Sequence, residues 1–353
     1  MKCNRILLLT LLLFLLSIVP CFADDEPGWY LAQDSDFTWV EDFDYGHYGP
    51  KGCGYFKYTG AHYDYIEIPD TVQGVPMTTY CKMFADRTDR TLTIKSTNHN
   101  IKDISSMFYS MDNLTYIDIN NINTSSVKKM ESVFAHSTRL TTVYCEDIDT
   151  SSCESFRYMF NTSNTNTMLN HLDLTKWDVS KGKDFTGMFA TPSIDSLDIS
   201  GWDTSSAIYM KAMFQYCKFN EIDVSSFNTF NVIAYDYMFS SCCNLTYLDI
   251  SSFVFKSNAI VTKIVDSAIS YNETLKVKDA SVATKLQNQG TLAYGVNIIY
   301  DLLPMQFSEA SLIKSFKLDD TFSPLYKLEW TDLTLQEVDP SSLEVRVVKR
   351  GGN

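Results

Sequence analysis

Histidine is nearly absent from this chain: five in 353 residues, at positions 47, 62, 99, 136 and 171, with no metal-ligand spacing. Nor do the nine cysteines form a C-x-x-C pair, so zinc and thioredoxin-like readings have no footing. Glycine is sparse, 14 residues widely scattered, and no Rossmann fingerprint, P-loop, G-x-S-x-G elbow or H-E-x-x-H occurs. No cofactor or metal is implied, and a catalytic Cys/His pair could only be one that meets in space without a local motif. Positive charge is also short, with 29 Lys and Arg against 43 Asp and Glu, a net charge of -14. That balance repels nucleic acid and anionic lipid headgroups; it favours cationic partners, bound cations or plain solubility. After Val19 no apolar run is long enough to span a bilayer, so no transmembrane segment is expected in the mature chain.

The start of the chain differs. Lys2 and Arg5 precede an apolar run from Ile6 to Val19, followed by Cys21-Phe22-Ala23 and then Asp24-Asp25-Glu26. This order reads as a signal peptide over 1–23, with an extracellular chain, secreted or on the cell surface. A lipoprotein anchored through Cys21 is the rival reading, and Pro20 stands where such a site wants a small flexible residue. Cleavage removes two positive charges and no acid, which leaves a net charge of -16 and seven cysteines. Export permits disulfides, and an odd count leaves at least one thiol free or paired with another chain.

What the chain has in abundance is a period. Met-Phe occurs at 83–84, 107–108, 159–160, 188–189, 213–214 and 238–239, and Val133-Phe134 fills the gap, at intervals of 24 to 29 residues. Inside each interval an alternating segment such as Leu248-Asp249-Ile250-Ser251 predicts a strand with one buried face. A polar turn such as Asp203-Thr204-Ser205 follows. The spacing of Val127, Met130, Val133 and Phe134 then predicts a helical or 3-10 turn. One unit cannot bury its own apolar face, whereas stacked units can. The expected core is a column of Phe108, Phe134, Phe160, Phe189, Phe214 and Phe239.

Residues 55 to 270 resemble the BspA-type leucine-rich repeat proteins, in the subtype with a consensus close to L-T-x-L-D-[LI]-S-x-[FW]-[DN]-T-S-x-V-x-x-M-x-x-M-F. Tyr58-Thr59-Gly60 and Ile66 to Met77 resemble the segment that opens such arrays. The expected fold class is an α/β repeat: a leucine-rich-repeat-like right-handed solenoid with one short strand and one short helical or 3-10 segment per repeat, plus a β-rich C-terminal segment. The boundaries follow: signal peptide 1–23, N-terminal cap and opening segment 24–76, about seven repeats over 77–270, and closure with a small β-rich segment over 271–353. The resemblance implies a surface protein in adhesion or host interaction.

Strand parity places Asp118, Asp173, Asp198, Asp223 and Asp249 in an outward row, with Tyr116, Tyr144, His171, Glu221 and Tyr247 on the same face. Two roles stay open for the row: an acidic binding face, or carboxylates that serve neighbouring Ser, Thr and backbone amides. Cys217 and Cys242 fall at equivalent places in successive repeats, either bridged or packed as free thiols. Asn113, Asn123, Asn161, Asn244 and Asn272 open N-x-[ST] sequons, read as repeat chemistry or as glycan acceptors according to the source. The aromatic stretch 24–57 reads as a cap or as a carbohydrate-binding surface. The functional expectation is a scaffold binding protein or glycan at the cell surface, in an unknown oligomeric state. The alternatives are a self-associating structural component and an enzyme with an unrecognised site.

Overall fold

A computed structural model describes residues 28–41, 54–162, 169, 171–268, 274–288 and 296–300. The expected signal peptide, Cys53 and the segment 301–353 lie outside the described residues. The repeats wind into a parallel β-solenoid of about eight turns with little helix. A ladder of single bridges records the winding, one residue per coil: Thr79, Asp103, Lys129, Ser155, Asp184, Tyr209, Ala234 and Ile260. A parallel sheet lines another side. It holds β1 (Tyr30–Leu31), β4 (Tyr65–Glu67), β7 (Thr91–Ser96), β8 (Tyr116–Ile122) and β9 (Thr142–Tyr144), in the order β1-β4-β7-β8-β9.

The cap therefore continues the array. β1 extends the sheet, while β2 (Phe37–Val40) and β3 (Tyr55–Tyr58) form an antiparallel hairpin, and β5 (Thr71–Val72) and β6 (Val75–Pro76) a shorter one. At the other end β10 (Tyr247–Asp249), β11 (Thr274–Lys276) and β12 (Asn297–Ile299) form a second parallel sheet. Between β11 and β12 lies α1 (Ala280–Asn288), which buries Ala283 and Leu286. Among the described residues it is the single α-helix, and the single 3-10 turn is Asp34–Asp36.

The helical segment expected in each repeat is thus corrected. In the coil through Phe134 the amides of Met130, Ser132, Phe134 and His136 donate to carbonyls of the next coil, those of Ser155, Arg157, Met159 and Asn161, at 2.7–2.9 Å. The amides of Ala135 and Ser137 instead turn back onto Ser132 and Phe134, at 3.1 and 3.3 Å. A helix would send every amide back along its own coil. Here alternate amides leave for the neighbour, and left-handed residues make the alternation possible. Ser132 (φ 55°) and His136 (φ 61°) flank Phe134 at two residues on either side. The same pair recurs as Ser106 and Ser110, Ala212 and Tyr216, and Tyr237 and Ser241. A left-handed residue at every fourth position cannot belong to a right-handed helix. The apolar spacing was read correctly, but it serves a ladder of turns.

These turns aim the phenylalanines inward. Phe84, Phe108, Phe134, Phe160, Phe189, Phe214 and Phe239 are fully buried and stacked, with neighbouring centroids 5.4–5.7 Å apart. Tyr58 of β3 covers the first ring at 5.2 Å. A second tier fills the corner below: Trp177 and Trp202 lie 6.1 Å from Phe160 and Phe189. Their indole N–H groups donate to carbonyls of the preceding coils, at Cys145 (2.8 Å) and Leu174 (3.4 Å).

Cys217 and Cys242 are unbridged and buried. Each thiol donates to the carbonyl of the preceding coil's phenylalanine, Phe189 and Phe214, at 3.0 Å. Ser137 does the same toward Phe108 with its hydroxyl, at 2.9 Å. Burial pushes the Cys242 thiol up to about 12, and Cys217 also well upward. Neither therefore supplies the thiolate that disulfide exchange needs. Cys243 is the exposed thiol among the described cysteines.

Candidate functional site

Each coil turns its corner on a side chain that accepts the amide two residues on. Asp173 takes the amide of Thr175 (2.9 Å) and its hydroxyl (2.7 Å); Asp198 takes the amide of Ser200 (3.1 Å) and its hydroxyl (2.8 Å). Asp223 takes the Ser225 amide (2.9 Å), and Asp249 the amide and hydroxyl of Ser251 (2.9 and 2.6 Å). These are Asx turns, in which a short acid replaces a backbone acceptor. The acidity follows the geometry. The Thr175 and Ser225 contacts, hydroxyl first, hold Asp173 and Asp223 below the usual carboxylate value. Burial raises Asp249, but Ser251 and Lys276 bring it lower overall.

Of the row, Asp118 and Asp249 lie in strands, whereas Asp173, Asp198 and Asp223 lie just before corners outside any strand. The single even ladder expected from strand parity is therefore broken in the middle coils. Asp118 and Asp249 accept the corresponding amides of Asn120 and Ser251 from within strands, so the Asx contact alone does not end a strand.

At the N-terminal end the sheet face does gather the expected residues. Register places Tyr65, Thr93, Asp118 and Tyr144 on one line across β4, β7, β8 and β9. One step along lie Thr91, Tyr116, Thr142 and His171. Tyr144 sits between two partners, 5.5 Å from the Tyr116 ring and 4.3 Å from His171. Trp29 continues the aromatic surface at 5.6 Å from Tyr65, with the Lys95 ammonium 5.5 Å above it.

Asp118 sits among these rings. Burial raises its pKa above the ordinary carboxylate value, and the charges of Glu146 and Asp147 push the same way against the Asn120 amide. Burial likewise raises Tyr116, with Asp118 beside it. Oε2 of Glu146, Nε2 of His171 and Nε1 of Trp29 are buried without a hydrogen bond, which is costly.

Tyr247 and Asp249 stand apart in β10. Tyr247 is 43% exposed and Asp249 pairs with Lys276 at 3.3 Å. Glu221 is exposed on the loop between. The face thus divides into an aromatic cluster at β4–β9 and a smaller site at β10. Sequence reading missed Trp29, Tyr65 and Glu146 as members of the cluster. The signal for Tyr65 was its parity against buried Ile66 and Ile68. Trp29 carried no such signal, because only the fold shows that the cap lengthens the sheet.

No group of three or more His, Cys, Asp and Glu among the described residues is placed to hold a metal ion. Among the same residues no helix is long and apolar enough to cross a membrane. Two stretches, 78–192 and 163–278, match the family model described as "Mycoplasma protein of unknown function, DUF285"; together they span more than half of the chain. No curated protein and no solved structure matches it.

Proposed function

On the premise that the chain belongs to the DUF285 family, whose description assigns no activity, we propose that it is a secreted or cell-surface scaffold binding protein or glycan through the β4–β9 sheet face. The observation that carries this reading is the contiguous Tyr116, Tyr144 and His171 surface on a face that a scaffold alone would leave polar. Aromatic side chains give large contact area at little entropic cost, and they dominate binding energy where they cluster. The resemblance to BspA-type surface proteins and the signal-like start of the sequence support the extracellular setting. The exposed Cys243 supports a second reading, a surface component that self-associates by a bridge between copies.

The test is binding of the full chain to an array of surface glycans and matrix proteins, repeated with single variants. Tyr144→Ser should weaken capture about thirtyfold, a hot-spot loss of roughly 2 kcal/mol, through faster dissociation. Tyr247→Ser should do less, since β10 lies apart from the cluster. Asp198→Asn keeps an acceptor for the Ser200 amide and should leave the melting temperature near the parent's. Asp198→Ala removes the acceptor and should cost about 1 kcal/mol. Unchanged capture by Tyr144→Ser would remove this face from consideration.

A further inference from the structure

The turn ladder carries a second site, on a different side of the coils from the sheet. A cleft of about 790 Å³ opens there across four successive coils. Its origin lies in two coils that depart from the pattern. After Phe160 and Phe189 the second left-handed residue is missing. The amides of Thr162 and Thr191 instead fold back onto the carbonyls of Phe160 and Phe189, at 2.9 and 2.6 Å. The hydroxyls of Thr162, Thr191 and Ser193 then interlock at 2.7–3.0 Å, all buried. The floor is kept low by Gly187, where an added Cβ would meet the Tyr158 ring at 2.3 Å.

Tyrosines wall the recess. Tyr158 (φ 53°), Tyr216 (φ 70°) and Tyr237 (φ 59°) line it, and each is a left-handed residue of the ladder. Away from the cleft the same positions hold Lys82, Asp86, Ser106, Ser110, Ser132, His136, Lys263 and Ser267. A bulky ring in this conformation is uncommon and strained. Packing does not call for it at Tyr216, which is 50% exposed.

The remaining chemistry is polar and basic. Lys211 and Lys218 line the cleft, and no carboxylate does so among the described residues, although the chain carries a net charge of -14. The carboxamides of Asn161, Gln215 and Asn244 complete the rim. A peptide could not dock here by adding a strand, because amides of the floor are spent on the next coil. Those of Ala212, Phe214 and Tyr216 bond to Asp236, Met238 and Ser240 at 2.7–3.0 Å. Flat rings suit the C–H face of a sugar, carboxamides suit its hydroxyls and ammonium groups suit a carboxylate. The volume falls in the range of small-ligand sites.

We propose that this cleft binds an acidic, hexuronate-containing oligosaccharide. The reading is independent of the sheet face. The experiment is calorimetric titration of the full chain with trigalacturonate, with maltotriose and pentaglutamate as comparison ligands. Trigalacturonate should bind, and the other two should bind at least tenfold more weakly. Tyr216→Ser should raise the trigalacturonate Kd tenfold or more without unfolding the protein, since serine holds the same backbone conformation at Ser110 and Ser241. Lys211→Gln should raise Kd and flatten its salt dependence. Absence of trigalacturonate binding, equal binding of maltotriose, equal binding of pentaglutamate, or indifference to Tyr216→Ser would each overturn the proposal.

Discussion

Phe214→Ala should cost about 3–5 kcal/mol of folding stability, the range for emptying a fully buried aromatic site. The ring is wholly inaccessible to solvent and stacked on both sides, at 5.7 Å from Phe189 and 5.4 Å from Phe239. It also meets Phe219 edge-on at 5.8 Å and Phe227 at 6.4 Å. The hole has little freedom to collapse. The Phe214 amide is tied to Met238 at 2.9 Å and the Phe189 amide to Met213 at 2.8 Å, so the coils keep their spacing when the ring is gone. Phe214→Leu keeps most of the volume and should cost less than about 1.5 kcal/mol. Urea titration of the two variants measures the difference. A loss below about 1 kcal/mol for the alanine variant would mean that the column is not what holds adjacent coils together.

Asp89→Ala should have a comparable effect by a different mechanism. The Asp89 carboxylate is 3% exposed and the Arg87 side chain 9%, with Nε and Nη2 of Arg87 donating to it at 2.7 and 3.1 Å. Nη1 of the same guanidinium donates to the carbonyls of Tyr58 (3.3 Å) and Gly60 (3.0 Å), and His62 Nδ1 meets the carboxylate at 2.5 Å. The group thus pins the chain after β3 to the first coil. Removing the acid leaves a nearly buried cation unpaired, a loss of about 3–5 kcal/mol. Burial alone would raise Asp89, but the bonds from Arg87 and His62 outweigh it and hold the carboxyl below its ordinary 3.8. A carboxyl with a lowered folded value adds stability that is present above the unfolded value and lost as pH falls through the folded one. The parent should therefore lose melting temperature steeply below pH 3.8, and Asp89→Asn, already lacking the charge, should lose less over the same interval. Parallel acid limbs would assign the acid sensitivity to other groups.

The winding and the ring column were legible because Met-Phe is a period, and a period survives ignorance of the backbone between its marks; the coil count was not, since about seven repeats were expected and the eighth coil, through Ile260, carries no Met-Phe. The turn ladder was not. A helix and a chain of turns both bury residues three or four apart, so Val127, Met130 and Val133 fit either. What separates them is the destination of alternate amides, and that belongs to a pair of coils. The residues two places from the phenylalanines held part of the missing information: most are serine, histidine or tyrosine in left-handed backbone, where a helix would favour better formers, although Lys82 and Ala212 are good helix formers themselves. The aspartate row was legible by parity at Asp118 and Asp249. Asp173, Asp198 and Asp223 share the Asx contact with those two but lie outside any strand, a difference that parity does not carry. The cleft left no continuous signature, since Tyr158, Tyr216 and Tyr237 come from three different repeats.

The ladder also decides how the molecule yields to force. Coils touch only their neighbours, and the bonds between them run along the axis. A pull applied at the two ends therefore opens one interface at a time and never loads all of them in shear. Each rupture should free one repeat of 24 to 29 residues, roughly 90 Å of contour at full extension, visible as regular steps in a single-molecule extension trace. The Phe160-to-Phe189 repeat, 29 residues long, should give the widest step. A single cooperative rupture would show instead that the coils share their load. A protein that fails in steps can lengthen under load and keep most of its surface folded.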